Sequence, residues 1–255
     1  MRILLTNDDG YSARGLKVLE AIAAQLSDDI WVVAPAEEQS GTGRALTLTR
    51  PIRVRRHGDK RFAVAGTPTD SVMMALGELM RDCKPDLILS GVNRGGNLGE
   101  DVLYSGTVSA AAEGALAGIR SIALSQLYPA GDRAACSFAP AEQWAERVLR
   151  PLLAAPLAPR TLVNINFPAV DPAAVAGIRI VRQGLRDYGR VRMDRRDDPR
   201  GHPYYWLAMG SVQTEHDPDT DLAAVAENLI TVTPLHLDLT HEASLSAIAQ
   251  AYEGA

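Results

Sequence analysis

The chain has 255 residues, 46% of them hydrophobic, which is enough for one large α/β domain or two small ones. Its formal net charge of -5 argues against a binder of long nucleic acid, because such proteins usually carry a basic face. No stretch approaches the ~20 apolar residues of a membrane span and no secretory signal precedes the first predicted strand, so we expect a cytoplasmic protein with no membrane partner.

Strand-like and helix-like segments alternate along the first two thirds of the chain. Short apolar runs predict strands at residues 2–6, 30–34, 46–56, 61–65, 86–90, 121–124 and 161–166, with a hairpin turn at 57–60. Apolar residues at helical spacing predict helices at 15–25, 67–82, 109–117 and 138–153. Thr67, Pro68 and Asp70 come close to a capping-box pattern at the start of the second helix. This alternation predicts an α/β fold, with a parallel sheet and helices on both of its faces.

The composition changes after about residue 182. Residues 182–201 are dense in arginine and aspartate, and Tyr204, Tyr205 and Trp206 follow, which is typical of a projecting, partly β extension with packing or subunit contacts. A helix at 220–228, a strand at 230–233 and a helix at 243–252 complete the pattern. We therefore expect one domain over residues 1–255, with a core at about 1–181 and a C-terminal extension at about 182–255.

Cysteine and histidine patterns indicate no metal site of their own. Cys83 and Cys136 are far apart and lack metal-ligand spacing, which favours a reducing compartment without a disulfide framework. The five histidines form no HxH or HExxH pattern.

The most informative segment follows the first predicted strand and contains two adjacent carboxylates, Asp8 and Asp9. Gly10 permits a turn there, so the two side chains can converge. Convergent carboxylates repel each other unless a cation lies between them, which favours a divalent-metal site. A solvated Asn7–Gly10 turn is the alternative.

Further loops with polar side chains fall where strands should end. Ser40 lies in one of them and Asn93 in another, and the carboxyl ends of parallel strands meet at one edge of a sheet. With Asp8 and Asp9 they offer only oxygen ligands, which suit Mg²⁺, Mn²⁺ or Ca²⁺ rather than a thiolate zinc centre. Taken singly, Ser40 and Asn93 are equally explained as turn residues.

Tyr104–Thr107 form a further loop, which we also expect at the end of a strand and which leads into the small-residue helix. Its Ser105, Gly106 and Thr107 form a separate candidate site. A glycine-bearing turn at a helix N-terminus presents free backbone N–H groups to an anion, although an ordinary N-cap has the same pattern. No GxxxxGK[ST] sequence occurs, so a Walker-type nucleotide hydrolase is not predicted.

Four stretches together resemble the stationary-phase survival protein (SurE) family of metal-dependent 5′/3′-nucleotidases. They are MRILLTNDDGYSARGL at 1–16, GTPTDSV at 66–72, SGVNRGGNLGEDVLYSGTVSAAAEG at 90–114 and TDLAAVAENLITVTPL at 220–235. Thr69 and Ser71 replace the alanine and cysteine of the family pattern GTPADCV, and residues 226–229 lack an expected glycine.

The resemblance implies a Rossmann-like three-layer core, a C-terminal part used in oligomer contacts, and a homodimer or homotetramer. It implies one Mg²⁺ or Mn²⁺ per subunit and removal of phosphate from nucleoside 5′- and 3′-monophosphates, with short polyphosphate as a further substrate. The implied metal ligands are Asp8, Asp9, Ser40 and Asn93. The implied phosphate-binding residues are Gly41, Asn97, Ser105, Gly106 and Thr107.

Two chemical routes and two other functions remain open at this point. A metal could polarise a phosphoryl oxygen while water attacks, or Asp8 or Asp9 could attack phosphorus directly and form an aspartyl phosphate. A receiver-like phosphoacceptor module also has paired acids after its first strand, but the chain is about twice the length expected for one. A non-catalytic nucleotide-binding protein is the other alternative, and turnover of a nucleoside monophosphate distinguishes it.

Overall fold

A nine-stranded sheet forms the centre of this computed structural model, which describes residues 1–186, 191–209 and 216–253. The strands of the described residues are β1 (Arg2–Thr6), β2 (Asp29–Pro35), β3 (Val54–Gly58), β4 (Arg61–Val64), β5 (Leu87–Arg94), β6 (Arg120–Gln126), β7 (Thr161–Phe167), β8 (Gly177–Ile180), β9 (Val191–Asp197), β10 (Pro203–Met209) and β11 (Leu229–His236). The order across the main sheet is β3-β4-β2-β1-β5-β6-β7-β11-β8. The β3–β4 and β7–β11 pairs are antiparallel and the others are parallel, so the predicted mostly parallel α/β fold is confirmed.

Helices cover both faces of this sheet. The helices of the described residues are α1 (Arg14–Ala24), α2 (Pro68–Met74), α3 (Gly106–Leu116), α4 (Ala139–Ala154), α5 (Asp221–Ala226) and α6 (Glu242–Glu253). Because side chains alternate along a strand, Ile3 and Leu5 of β1 pack with α1 and α4, whereas Leu4 packs with α2 and α3 on the opposite face. None of the described helices is long and apolar enough to cross a bilayer.

Several predicted elements differ from the structure in length. The strands predicted at 86–90 and 230–233 are longer, at Leu87–Arg94 and Leu229–His236. The strand predicted at 46–56 is shorter, because regular pairing begins only at Val54; Leu48 is exposed, and Pro51 has no N–H to donate to a neighbouring strand. The helix predicted at 67–82 begins with the expected capping box between Thr67 and Asp70, but after Met74 it continues as a wider π turn to Leu79.

The C-terminal extension both projects from the main sheet and returns to it. Strands β9 and β10 form a separate antiparallel pair, in which Tyr205 and Trp206 are exposed. Strand β11 then pairs with β7 and β8 in the main sheet. Asn228 takes the left-handed conformation (φ 60°) at the turn without the expected glycine, and asparagine tolerates that conformation. Part of the arginine-rich segment, residues 187–190, lies outside the described residues.

Helix α1 approaches the end of β5 so closely that only glycine fits at its second residue. A Cβ at Gly15 would lie 2.0 Å from the carbonyl oxygen of Val92. We expect Gly15→Ala to lower the free energy of unfolding by about 2 kcal/mol or more, although alanine is the better helix former.

Gly77→Ala is the matched control, because no atom lies within 4 Å of its added Cβ. It should leave stability unchanged or raise it by up to about 1 kcal/mol. Urea unfolding of both variants measures the difference, and equal stabilities would contradict the close approach of α1 to β5.

Candidate active site

A tight turn after β1 brings Asp8 and Asp9 to the carboxyl edge of the sheet. Asn7 Nδ2 donates a hydrogen bond to the carbonyl oxygen of Gly10 over 2.9 Å. Gly10 has φ 99°, and a Cβ there would lie 3.1 Å from the carbonyl carbon of Glu37. The predicted turn is therefore present, but it is not a solvated one, because Asp8 is only 5% exposed.

The N-terminus of α3 lies directly against Asp8. Thr107 Oγ1 donates a hydrogen bond to Oδ1 of Asp8 over 2.5 Å, and Ser105 Oγ caps the helix by accepting from the backbone N–H of Val108 over 3.1 Å. A Cβ at Gly106 would lie 2.7 Å from the Cβ of Asp8, so only glycine allows this contact. The sequence places Tyr104–Thr107 where a strand ends, which is wrong: Ser105 to Thr107 form the cap and first turn of α3, reached from β5 through residues 95–104.

Asp9 is held by the neighbouring strand and keeps one oxygen without a hydrogen bond. Its Oδ2 accepts from the backbone N–H of Arg94, at the end of β5, over 3.0 Å. Its buried Oδ1 has no hydrogen-bond donor, and the guanidinium of Arg133 is 3.9 Å away. A buried carboxylate oxygen without a donor is the kind of atom that a bound cation satisfies.

Both carboxylates are harder to ionise than ordinary aspartates. Burial raises the pKa of Asp8 from 3.8 to about 6; the Thr107 hydrogen bond opposes the rise, and the nearby Asp9 charge adds to it. Burial also raises the pKa of Asp9, against the hydrogen bond from the Arg94 backbone. A positive charge at this edge would stabilise both ionised forms.

The loop after β2 reaches the same edge through its backbone. The N–H of Gln39 donates to the carbonyl oxygen of Asp8 over 2.8 Å. Ser40, the next residue of this loop, is therefore held near the carboxylate pair. The hydroxyl of Ser40 donates to Glu38 Oε1 over 2.8 Å, and no atom lies within 4 Å of a Cβ added at Gly41. Ser40 and Gly41 therefore border open space at the cleft.

Asn93 and Asn97 lie on the β5 side of the cleft and have different surroundings. Asn93 is half-buried, and its amide Nδ2 donates to the carbonyl oxygen of Gly95 over 2.9 Å. Asn97 is buried, and its amide Nδ2 donates to Ser125 Oγ on β6 over 2.8 Å. Its backbone carbonyl accepts from Asn164 and Asn166 on β7. Asn97 thus connects the loop after β5 to the sheet, whatever else it binds.

Arg133 and Glu38 belong to this site although sequence reasoning did not select them. Arg133 donates to Glu38 Oε1 over 2.8 Å and is the guanidinium nearest Oδ1 of Asp9. Arg133 lies between β6 and α4, in a loop without a motif, so no sequence signal connects it to the first strand.

Asp221 is a third residue that sequence reasoning missed. It is fully buried at the start of α5 and accepts from the backbone N–H of Gly99 over 2.9 Å and of Gly184 over 2.8 Å. Gly99 belongs to the segment that joins β5 to α3. Asp221 therefore connects the C-terminal extension to the segment that carries the α3 N-terminus.

The two carboxylates at this edge can hold a hard cation only together with hydroxyl and amide oxygens from other residues. Among the described residues, no three His, Cys, Asp or Glu side chains are grouped to hold a metal ion. The two carboxylates supply the negative charge. Ser40, in the loop after β2, could supply a neutral oxygen, as could Asn93, which lies near the end of β5 and not in a loop after it as predicted. This donor set suits Mg²⁺ or Mn²⁺ rather than zinc.

One known protein family matches most of this chain. The model of the family described as "Survival protein SurE" matches residues 3–190, well over half of the sequence. The chain belongs to the SurE family. The resemblance based on four short stretches is thereby confirmed over most of the chain.

Full-length relatives and a solved structure agree with this assignment. A 5′-nucleotidase SurE from Rhizorhabdus wittichii is 62% identical over 253 residues, covering 99% of this chain and 100% of the relative. A protein of the same name from Erythrobacter litoralis is 55% identical with the same coverage. The crystal structure of SurE from Aquifex aeolicus superimposes with a TM-score of 0.84 at 36% identity, covering 99% of this chain and 100% of that one.

Proposed function

We propose that this SurE protein is a metal-dependent phosphomonoesterase that removes phosphate from nucleoside 5′- and 3′-monophosphates, with short polyphosphate as a further substrate. The relatives named 5′-nucleotidase support the reaction class. The observation that carries the proposal is the contact between a buried carboxylate pair and a helix N-terminus, through Thr107 and Asp8. A cation site and an anion site side by side fit a phosphate monoester.

One divalent cation, Mg²⁺ or Mn²⁺, would be held by Asp8 and Asp9 together with Ser40 and Asn93. Oδ1 of Asp9, which lacks a hydrogen-bond donor, supports this assignment. When bound, such a cation supplies Lewis-acid polarisation of a phosphoryl oxygen. The raised pKa of Asp8 means that cation binding releases protons when the pH is near or below about 6.

The first turn of α3 is the proposed site for the phosphoryl oxygens. A helix leaves its first N–H groups without intrahelical acceptors, and Ser105 Oγ already satisfies that of Val108. The N–H groups of Gly106 and Thr107, together with the helix dipole, stabilise negative charge on the phosphoryl group. Gly41 and Asn97 complete the proposed phosphate-binding set.

Water is the proposed nucleophile rather than a carboxylate of the enzyme. Thr107 occupies Oδ1 of Asp8, and the Arg94 backbone occupies Oδ2 of Asp9. If the other oxygen of each carboxylate holds the cation, neither Asp8 nor Asp9 is free to attack phosphorus. The carboxylates then fix the position of the phosphoryl group relative to water, and α3 stabilises the charge that develops on it.

We also propose that the C-terminal extension joins copies of this chain into a homodimer or homotetramer. Helix α6 has no buried residue, and Leu245, Ile248 and Tyr252 are all more than half exposed. The β9–β10 pair adds exposed Tyr205 and Trp206. Apolar exposure on this scale is typical of surfaces that contact another protein.

Removing either carboxylate tests the metal and the activity together. We expect Asp8→Asn and Asp9→Asn to lower kcat/KM for AMP with Mn²⁺ by at least about a hundredfold, because each removes a charged ligand. Mn²⁺ should raise the Tm of the wild type but not of either variant. Exposed Asp82→Asn is the control and should match the wild type in both measurements. Full activity in EDTA, or in either variant, would contradict the proposal.

The route of attack can be measured from the stereochemistry at phosphorus, because a single displacement by water inverts the configuration, whereas an aspartyl phosphate gives two displacements and net retention. We expect inversion with a substrate whose phosphoryl group is made chiral with oxygen isotopes. Acid-quenched enzyme should also contain no borohydride-reducible acyl phosphate in its N-terminal peptide. Retention, or reduction of Asp8 or Asp9, would instead indicate an aspartyl phosphate.

Truncation tests the proposed role of the extension. A variant ending at residue 239, which lacks α6, should have a lower mass by light scattering than the full chain. Leu245→Ser and Ile248→Ser in the full chain should have the same effect, because each places a polar group in the proposed contact. An unchanged mass in the truncated protein and in the two substituted proteins would exclude α6 from the interface.

A further inference from the structure

A pocket opens beside the loop that contacts the backbone of Asp8, at the same edge of the sheet. It has a volume of about 470 Å³ and lies between the ends of β2 and β4. Its lining includes Glu37, Gln39, Arg50, Arg53, Val64 and Gly66. We call this space the arginine pocket.

The arginine pocket adjoins the candidate active site on two sides. The backbone of Gln39, which lines the pocket, donates to the carbonyl oxygen of Asp8 over 2.8 Å. On the other wall, Gly66 is followed by Thr67 and Pro68, and Pro68 Cγ would lie 3.0 Å from a Cβ on Gly106. The pocket wall at Gly66 is thus two residues from Pro68, which contacts the N-terminus of α3.

Two arginines of the pocket form no ion pair with any residue that the structure describes. In the part of the chain that the structure describes, neither Arg50 nor Arg53 has a carboxylate within 4.0 Å, although Glu37 also lines the pocket. Other basic side chains of the same segment do form ion pairs: Arg56 pairs with Asp59 over 2.6 Å, and Lys60 pairs with Asp29 over 2.8 Å.

The surrounding segment is basic in an acidic protein. Residues 44–61 contain seven arginines and lysines and a single acid, Asp59, whereas the whole chain has a net charge of -5. Uncompensated guanidinium groups next to a cleft attract anions and bind phosphate oxygens in a bidentate manner.

We propose that the arginine pocket binds a second phosphate group, carried by the leaving group of the substrate. The preferred substrates would then be phosphate monoesters whose alcohol part is itself anionic, such as a 5′-phosphorylated dinucleotide. The inference rests on the proposed function, because it assumes that the scissile phosphate lies at α3. None of the residues that line the pocket is aromatic, so it offers no aromatic side chain for a base to stack on, and its two cations outnumber Glu37.

The test compares three substrates that share one scissile 5′-phosphate. They are AMP, a 5′-phosphorylated dinucleotide, and the same dinucleotide with an uncharged methylphosphonate linkage. The wild type should have the highest kcat/KM for the charged dinucleotide. Arg50→Ala and Arg53→Ala should each lower that value by about fivefold, as expected for an exposed charge pair, and change the other two by less than about twofold.

Arg55→Ala is the matched control. Arg55 is an exposed arginine of the same segment, on β3, and it does not line the pocket. It should leave all three substrates unchanged. An equal loss for charged and uncharged dinucleotides in Arg50→Ala and Arg53→Ala would assign the pocket to the nucleoside instead, and no preference of the wild type for the charged dinucleotide would overturn the proposal.

Separate experiments distinguish a failure of the proposed phosphatase activity from a failure of the proposed phosphate binding in the arginine pocket. AMP turnover by the wild type tests the function alone. Equilibrium binding of the charged dinucleotide to wild type and Arg53→Ala, measured by calorimetry in EDTA, tests the pocket without turnover. Equal affinities there would contradict the arginine pocket even if AMP is hydrolysed.

Discussion

The burial of Asp8 against the first turn of α3 is the contact on which the rest of the site depends. A carboxylate at 5% exposure is costly unless it is compensated, and here the Thr107 hydroxyl supplies one compensation. The contact requires glycine at position 106, because a Cβ there would overlap Asp8. The stability of the fold does not by itself explain a buried carboxylate at this position. The contact instead supports the proposal that a cation binds on one side of Asp8 and a phosphate group on the other.

The strand order explains why this contact occurs at β1. From β1 the sheet extends to β2 and β4 on one side and to β5, β6 and β7 on the other. From β1 the chain runs through α1 to β2 on one side, and after β4 it crosses back through α2 to β5 on the other side, which opens a crevice at the carboxyl end of β1. The loop with Ser40 therefore enters from the β2 side, and the end of β5, with Asn93, lies on the other side. The arginine pocket continues the same crevice toward β4.

The sequence predicted those parts of the structure whose conformation depends on residues only a few positions away in the chain. Gly10 and the Thr67–Asp70 capping box are decided by neighbours within a few residues, and both are found in the structure. Arg133 and Asp221 were missed because their partners lie far away along the chain: 95 residues separate Arg133 from Glu38, and 122 separate Asp221 from Gly99. The π turn after Met74 also has no local signal, since its apolar spacing reads as an ordinary helix.

Asp221 shows that burial alone does not identify the functional pair. Burial raises the pKa of Asp221 as it does those of Asp8 and Asp9. Both oxygens of Asp221, however, accept backbone N–H groups, from Gly184 and Gly99, so the protein itself satisfies this acid. Asp9 keeps Oδ1 without a donor, next to a second acid with a raised pKa. A buried acid that the protein satisfies supports the loops around it, whereas a pair left partly unsatisfied at a cleft needs a ligand from outside.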